Sequence, residues 1–84
     1  SKYDIRFDAL APSNSDFNEN IAPLAEALAA KFHTTKNYYL QKFRKAHSNR
    51  NRYMLIAKNL DYGDYKEIRE FPLFQKGLWC PLGF

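Results

Sequence analysis

The sequence predicts a small α+β domain, with an N-terminal strand, a second strand over 53–58 and two helices packed on one face. Three stretches carry that prediction. Residues 2–8 alternate polar and apolar, residues 16–32 repeat apolar side chains at helical spacing, and 53–57 is a short, uniformly apolar run. An all-α arrangement with a strand-like N-terminal arm is the alternative.

The opening segment places Tyr3, Ile5 and Phe7 on one side and Lys2, Asp4, Arg6 and Asp8 on the other. A period of two with a polar outer face is a half-buried strand. Ala11 to Ser15 then reads as a loop with several possible caps. A first helix is expected over about 16–32, capped by Asn20, with Pro23 in its first turn where a missing N–H does no harm. Ile21, Leu24, Ala25, Leu28 and Phe32 share one stripe, and the many alanines favour the helix. His33-Thr34-Thr35 breaks it, and Thr34 or Thr35 caps a second helix running from Lys36 to about His47.

The second helix buries Tyr39, Leu40 and Phe43, with Ala46 extending the stripe, and leaves Lys36, Lys42 and Lys45 wet. Residues 48–52 read as a polar loop. The run at 53–57 has the length of a buried strand, which would place Tyr53 in the core. Asn59 to Asp64 reads as a turn. Asp64-Tyr65-Lys66-Glu67 has the pattern of a capping box, starting a short helix that carries Ile68 and Phe71 and stops at Pro72. A strand pairing with 53–58 is the rival reading of 64–71. The tail from Phe71 to Phe84 is too apolar to hang free, so it packs on the core or on a partner.

Eighty-four residues fit one domain, 1–84. A chain this short buries only about 60–65% of its unfolded surface, so it needs a dense core. Its 17% aromatic content supplies one and rules out a disordered chain. The single cysteine, Cys80, excludes an internal disulfide and cysteine-rich zinc sites, and agrees with a reducing compartment. No apolar run approaches the roughly 18 residues of a membrane-spanning helix, and no signal peptide is visible. The expectation is a cytoplasmic protein without a membrane partner. The three glycines are isolated, the acidic residues lack a calcium-loop pattern and the two histidines lack metal-ligand spacing, so no cofactor or metal is expected.

Charge is the strongest functional signal. Residues 31–58 hold eight cations (Lys31, Lys36, Lys42, Arg44, Lys45, Arg50, Arg52 and Lys58) and no anion, whereas both flanking segments are net acidic. Such a block repels itself unless the fold or a polyanion neutralises it. Aromatics are interleaved with it, which suits phosphate contact combined with base stacking. The expected function is non-catalytic nucleic-acid binding, to DNA or RNA. Lys36, Lys42, Arg44, Lys45, Arg50 and Arg52 are the phosphate contacts, Tyr38 the stacking residue, and Asn49 and Asn51 the polar readers. Replacing Arg50 and Arg52 is expected to weaken binding and leave the fold intact. The two helices joined at 33–35 have the layout of a helix-turn-helix, but the turn lacks the usual glycine, and no family is claimed.

Two further readings compete. The apolar tail, through Phe74, Leu78 and Trp79, would dock on a protein partner or form a homodimer seam. Alternatively His33 and His47 would serve as the acid–base pair of a small ribonuclease, although each sits near a predicted helix end where a histidine is structurally favourable.

Overall fold

The computed structural model describes residues 2–81. In chain order the elements are β1 (Tyr3–Phe7), α1 (Asn14–Phe32), α2 (Lys36–Ser48), β2 (Met54–Leu60), α3 (Tyr62–Ile68) and β3 (Leu78–Trp79). The architecture is α+β. The sheet order is β2-β1-β3, and β1 pairs antiparallel with both neighbours.

The alternation of β1 decides where the helices lie. Ile5 and Phe7 are fully buried. Phe7 sits opposite Met54 on one side and Leu78 on the other, so those three side chains share the inner face. The Phe7 ring meets Phe43 edge-on at 4.7 Å and lies 6.4 Å from Phe17, which seats both α1 and α2 on this face. From α1 come Phe17, Ile21, Leu24, Ala25, Leu28 and Ala29; from α2 come Tyr39, Phe43 and Ala46. Both sets follow helical periodicity.

The start of α1 corrects the sequence reading. Ser13, not Asn20, is the cap: its side chain accepts from Asp16 N–H at 3.1 Å. Asn20 lies inside the helix and donates to the Asp16 carbonyl at 2.9 Å. Pro23 is therefore well past the first turn. Its ring nitrogen cannot donate to Glu19, but its side chain is exposed, and six buried residues outweigh one missing bond. At the other end His33 adopts the left-handed conformation (φ 58°), and Thr34 N–H returns to the Ala29 carbonyl at 3.0 Å. Thr35 caps α2 by accepting from Tyr38 N–H.

Strand β2 begins one residue later and ends two later than the sequence implies, taking in Asn59 and Leu60 from the expected turn. The register with β1 slips twice, and Asn59, at φ 60°, donates its N–H to the Asp4 carboxylate at 3.0 Å. Tyr53 falls outside the strand and is 68% exposed, so its assignment to the core is corrected. Residues 62–68 are helical, but Asp61 is the cap rather than Asp64, accepting from Asp64 N–H at 2.8 Å. This frees the Asp64 carboxylate for Lys31, whose ammonium lies 2.9 Å from it and 2.8 Å from Glu67, tying the end of α1 to α3.

The tail folds inward. Leu73 and Gln75 take left-handed backbone, Leu78 N–H donates to the Leu73 carbonyl, and Gln75 N–H donates to the Leu78 carbonyl. Gly77 (φ 142°) accepts from Asp8 N–H at 2.8 Å. A Cβ there would stand 3.1 Å from the Phe7 ring and 3.2 Å from Pro12, so the close approach requires glycine. The turn delivers β3, a strand the sequence reading does not contain. Leu82 and Phe84 lie outside the described residues.

Candidate functional site

The basic block has no internal acid, so its neutralisation depends on what the fold brings to it. Three of its eight cations find carboxylates. Lys31 bridges Asp64 and Glu67, Lys36 lies 3.8 Å from Glu26, and Arg52 holds Asp8 at 3.1 Å. Lys42, Arg44, Lys45, Arg50 and Lys58 have no carboxylate within 4.0 Å among the described residues.

Helix periodicity sorts these further. Tyr38, Lys42, Lys45 and Asn49 stand at i, i+4, i+7 and i+11 and form one stripe along α2, about 16 Å long at 1.5 Å per residue. Tyr38 is 49% exposed. Lys42 Nζ lies 5.0 Å from the Tyr38 ring centre and donates to its hydroxyl at 3.3 Å. Tyr39 meets Tyr38 edge-on at 5.1 Å and, being buried, anchors it. The lower end of the stripe opens into a groove of about 260 Å³ lined by Lys42, Lys45, Ala46, Asn49, Asn51 and Met54. Its walls are cationic and amide; its floor is Ala46 and Met54.

The end of α2 shapes the groove. Asn51 N–H donates to the Ala46 carbonyl at 2.8 Å and Arg50 N–H to the His47 carbonyl at 3.2 Å, the paired bonds of a Schellman motif. Arg50 occupies the left-handed position (φ 56°) where glycine is favoured. Asn51 also accepts from Tyr53 N–H through its side chain at 2.9 Å, which fixes the turn into β2.

Of the residues singled out in the sequence, the fold thus gathers Tyr38, Lys42, Lys45, Asn49 and Asn51. Arg50 is exposed beside them in the turn. The others are dispersed. Lys36 faces α1, Arg44 projects roughly 130° around the helix from the stripe, and Arg52 is engaged with Asp8. Ala46 and Met54 were missed as groove residues, because the sequence marks both simply as apolar and buried.

A comparison with known proteins finds no counterpart. No family model, no curated protein and no solved structure matches the chain. The functional reading therefore rests on the geometry alone.

That geometry corrects the pairing of His33 with His47. The first precedes α2 and the second lies in its last turn, so the length of the helix, some 17 Å or more, separates them. One phosphate cannot reach both. His33 ends α1, and the His47 ring stacks on Phe17 at 4.3 Å. Cysteine chemistry is equally unfavoured: burial, then the Asp4 carboxylate, pushes the half-buried Cys80 thiol above its ordinary value, although a backbone hydrogen bond opposes this. Among the described residues no three His, Cys, Asp or Glu side chains converge to hold a metal, and no helix is long and apolar enough to cross a membrane.

Among the described residues the tail packs on the core. Leu78 is 0% exposed and has no surface to offer a partner, while Phe74 is half-buried and meets Tyr65 edge-on at 6.3 Å. Trp79 is likewise half-buried, edge-to-face with Tyr53 at 6.2 Å.

Proposed function

We propose that the chain is a non-catalytic nucleic-acid-binding module whose contact surface is the Tyr38–Asn49 stripe of α2, the groove below it and the Arg50 turn. One observation carries the reading: Lys42 and Lys45 project along one stripe into a groove whose walls hold no carboxylate, flanked by the amides of Asn49 and Asn51. Unneutralised cations in register suit a phosphate backbone, and neighbouring amides suit sugar and base edges. The left-handed Arg50 adds support. A turn that would be relaxed with glycine carries instead a long cationic side chain, exposed beside the groove.

The test is a charge-matched comparison. Lys42→Ala with Lys45→Ala removes two positive charges from the groove, and Lys66→Ala with Lys76→Ala removes two from elsewhere on the surface. Binding to labelled oligonucleotides across a salt series should lose about 1.4–1.8 from its log–log slope in the first variant and little in the second. Equal effects would mean that binding follows net charge and that the groove has no special part in it.

A further inference from the structure

We propose that the free edge of β2 is a strand-addition site for an extended acidic peptide of a protein partner, whose alternate side chains reach Lys42 and Lys45. The inference goes beyond the nucleic-acid reading and does not depend on it. In the order β2-β1-β3, β2 has a strand neighbour on one side alone. It is the longest of the three strands, at seven residues, and contains neither proline nor glycine. Its register with β1 is regular at Met54 and Leu55 and slips only beyond them. Among the described residues, the backbone of Met54–Leu60 makes no hydrogen bond outside the sheet: Asn59 N–H goes to the Asp4 carboxylate, and Asp4 belongs to β1. Such an edge offers alternate N–H and C=O groups to an incoming strand.

The two faces of that edge set the chemistry of the partner. Met54 is opposite Phe7 and faces inward, whereas Leu55 is opposite Arg6 and faces outward. Lys42 and Lys45 of α2 line the same groove as Met54, so the groove adjoins the inner side of the edge. Neither lysine has a carboxylate within 4.0 Å among the described residues. On the outer side Leu55 is 39% exposed. Side chains of an added strand alternate between the two faces. Its inner row meets the lysines and suits Asp or Glu, and its outer row lies beside Leu55 and suits apolar residues. Lys58, the one charged residue of β2, is exposed and adds to the positive edge. Charge also decides against a second copy of this chain as the occupant. Pairing β2 with itself would bring Lys42, Lys45 and Lys58 of both copies to one seam, whereas an acidic strand is attracted by the same groups.

The experiment measures anisotropy of a labelled peptide of alternating Glu and Val, as long as β2, and amide hydrogen exchange of the wild-type chain with and without it. The same peptide is made with N-methyl groups on every Glu or on every Val, which blocks the donors of one peptide edge or the other. One N-methylated form should bind like the parent, and the other should bind more weakly by about tenfold or more. Saturating peptide should slow exchange within Met54–Leu60. Lys42→Ala with Lys45→Ala should weaken the peptide by about 2- to 30-fold, and Lys66→Ala with Lys76→Ala should change it little. Equal affinity of the two N-methylated forms, or unchanged exchange in β2, would overturn strand addition. A labelled oligonucleotide measured alongside keeps the two readings apart. Its binding without peptide binding would overturn this inference and leave the nucleic-acid reading standing; peptide binding without it would do the reverse.

Discussion

Arg52 grips Asp8 with two nitrogens: Nε lies 3.1 Å and 3.3 Å from the two carboxylate oxygens, and Nη2 lies 3.1 Å from Oδ2. The pair joins the turn before β2 to the end of β1. Asp8 in turn accepts from Leu10 N–H and donates its own N–H to Gly77. A cation expected to meet phosphate is thereby built into a junction of three segments, and it differs from its neighbour Arg50. Arg52→Ala should lower the melting temperature and barely change oligonucleotide affinity, whereas Arg50→Ala should weaken binding without lowering it. Matching effects of the two changes would refute this division.

Asp8 also brings pH into the stability. Burial pushes its carboxyl up, but the Arg52 hydrogen bond, the Leu10 and Ala11 N–H groups and the Arg52 charge together hold it below its ordinary value. A carboxyl lower in the folded than in the unfolded chain stabilises fully above the unfolded value, about 3.9, and that stabilisation is lost as pH falls through the folded value. Thermal melts should therefore lose stability below about pH 4, and Asp8→Asn should flatten part of that loss. An identical acid response in the variant would remove Asp8 from the account.

Arg50 offers a separable effect. A side chain in left-handed backbone costs about 1 kcal/mol or more relative to glycine. Arg50→Gly should accordingly raise stability by about 1 kcal/mol in urea unfolding while weakening oligonucleotide binding. A variant that is destabilised would show that the arginine side chain supports the turn.

Lys31 is the best-shielded cation with an ion pair, its side chain only 10% exposed. Hydrogen bonds to Glu67 and Asp64 outweigh burial and raise it above its ordinary value. Lys31→Met keeps the stem and removes the bridge. It should leave the Tyr38–Asn49 stripe intact and speed hydrogen exchange at the last amides of α3. Unchanged exchange there would mean that Ile68 and the tyrosine cluster hold α3 by themselves.

Phe43 couples the stripe to the core. It is fully buried against Phe7, on the side of α2 away from solvent. Phe43→Ala should cost about 3–5 kcal/mol. That is a large share of the roughly 4–13 kcal/mol expected for a domain of this length. Urea unfolding measures it, and a loss under about 1 kcal/mol would contradict the packing described.

How much of this could be read from the sequence follows from the range of each interaction. Strand β1 and helix α2 were legible because their apolar periods are strict and local. The cap of α1 was not: Pro23 resembles a first-turn proline, and only the buried positions of Phe17 and Ile21 show that the helix begins earlier. Strand β3 was illegible, since two residues carry no period and their pairing depends on a turn through Leu73, Gln75 and Gly77. The stripe of Tyr38, Lys42, Lys45 and Asn49 was written in the sequence once the helix was placed. What the sequence could not reveal was which cations are paired with carboxylates, because Glu26 lies ten residues before Lys36 and Asp8 forty-four before Arg52.

The most direct measurement of the central claim is the affinity of the wild-type chain for a labelled single-stranded oligonucleotide between about 50 and 200 mM salt. Contacts from Lys42, Lys45 and Arg50 predict a log–log slope of about −2 or steeper. No binding at the lowest salt, or a slope near zero, would contradict the claim that this surface is a phosphate-binding track.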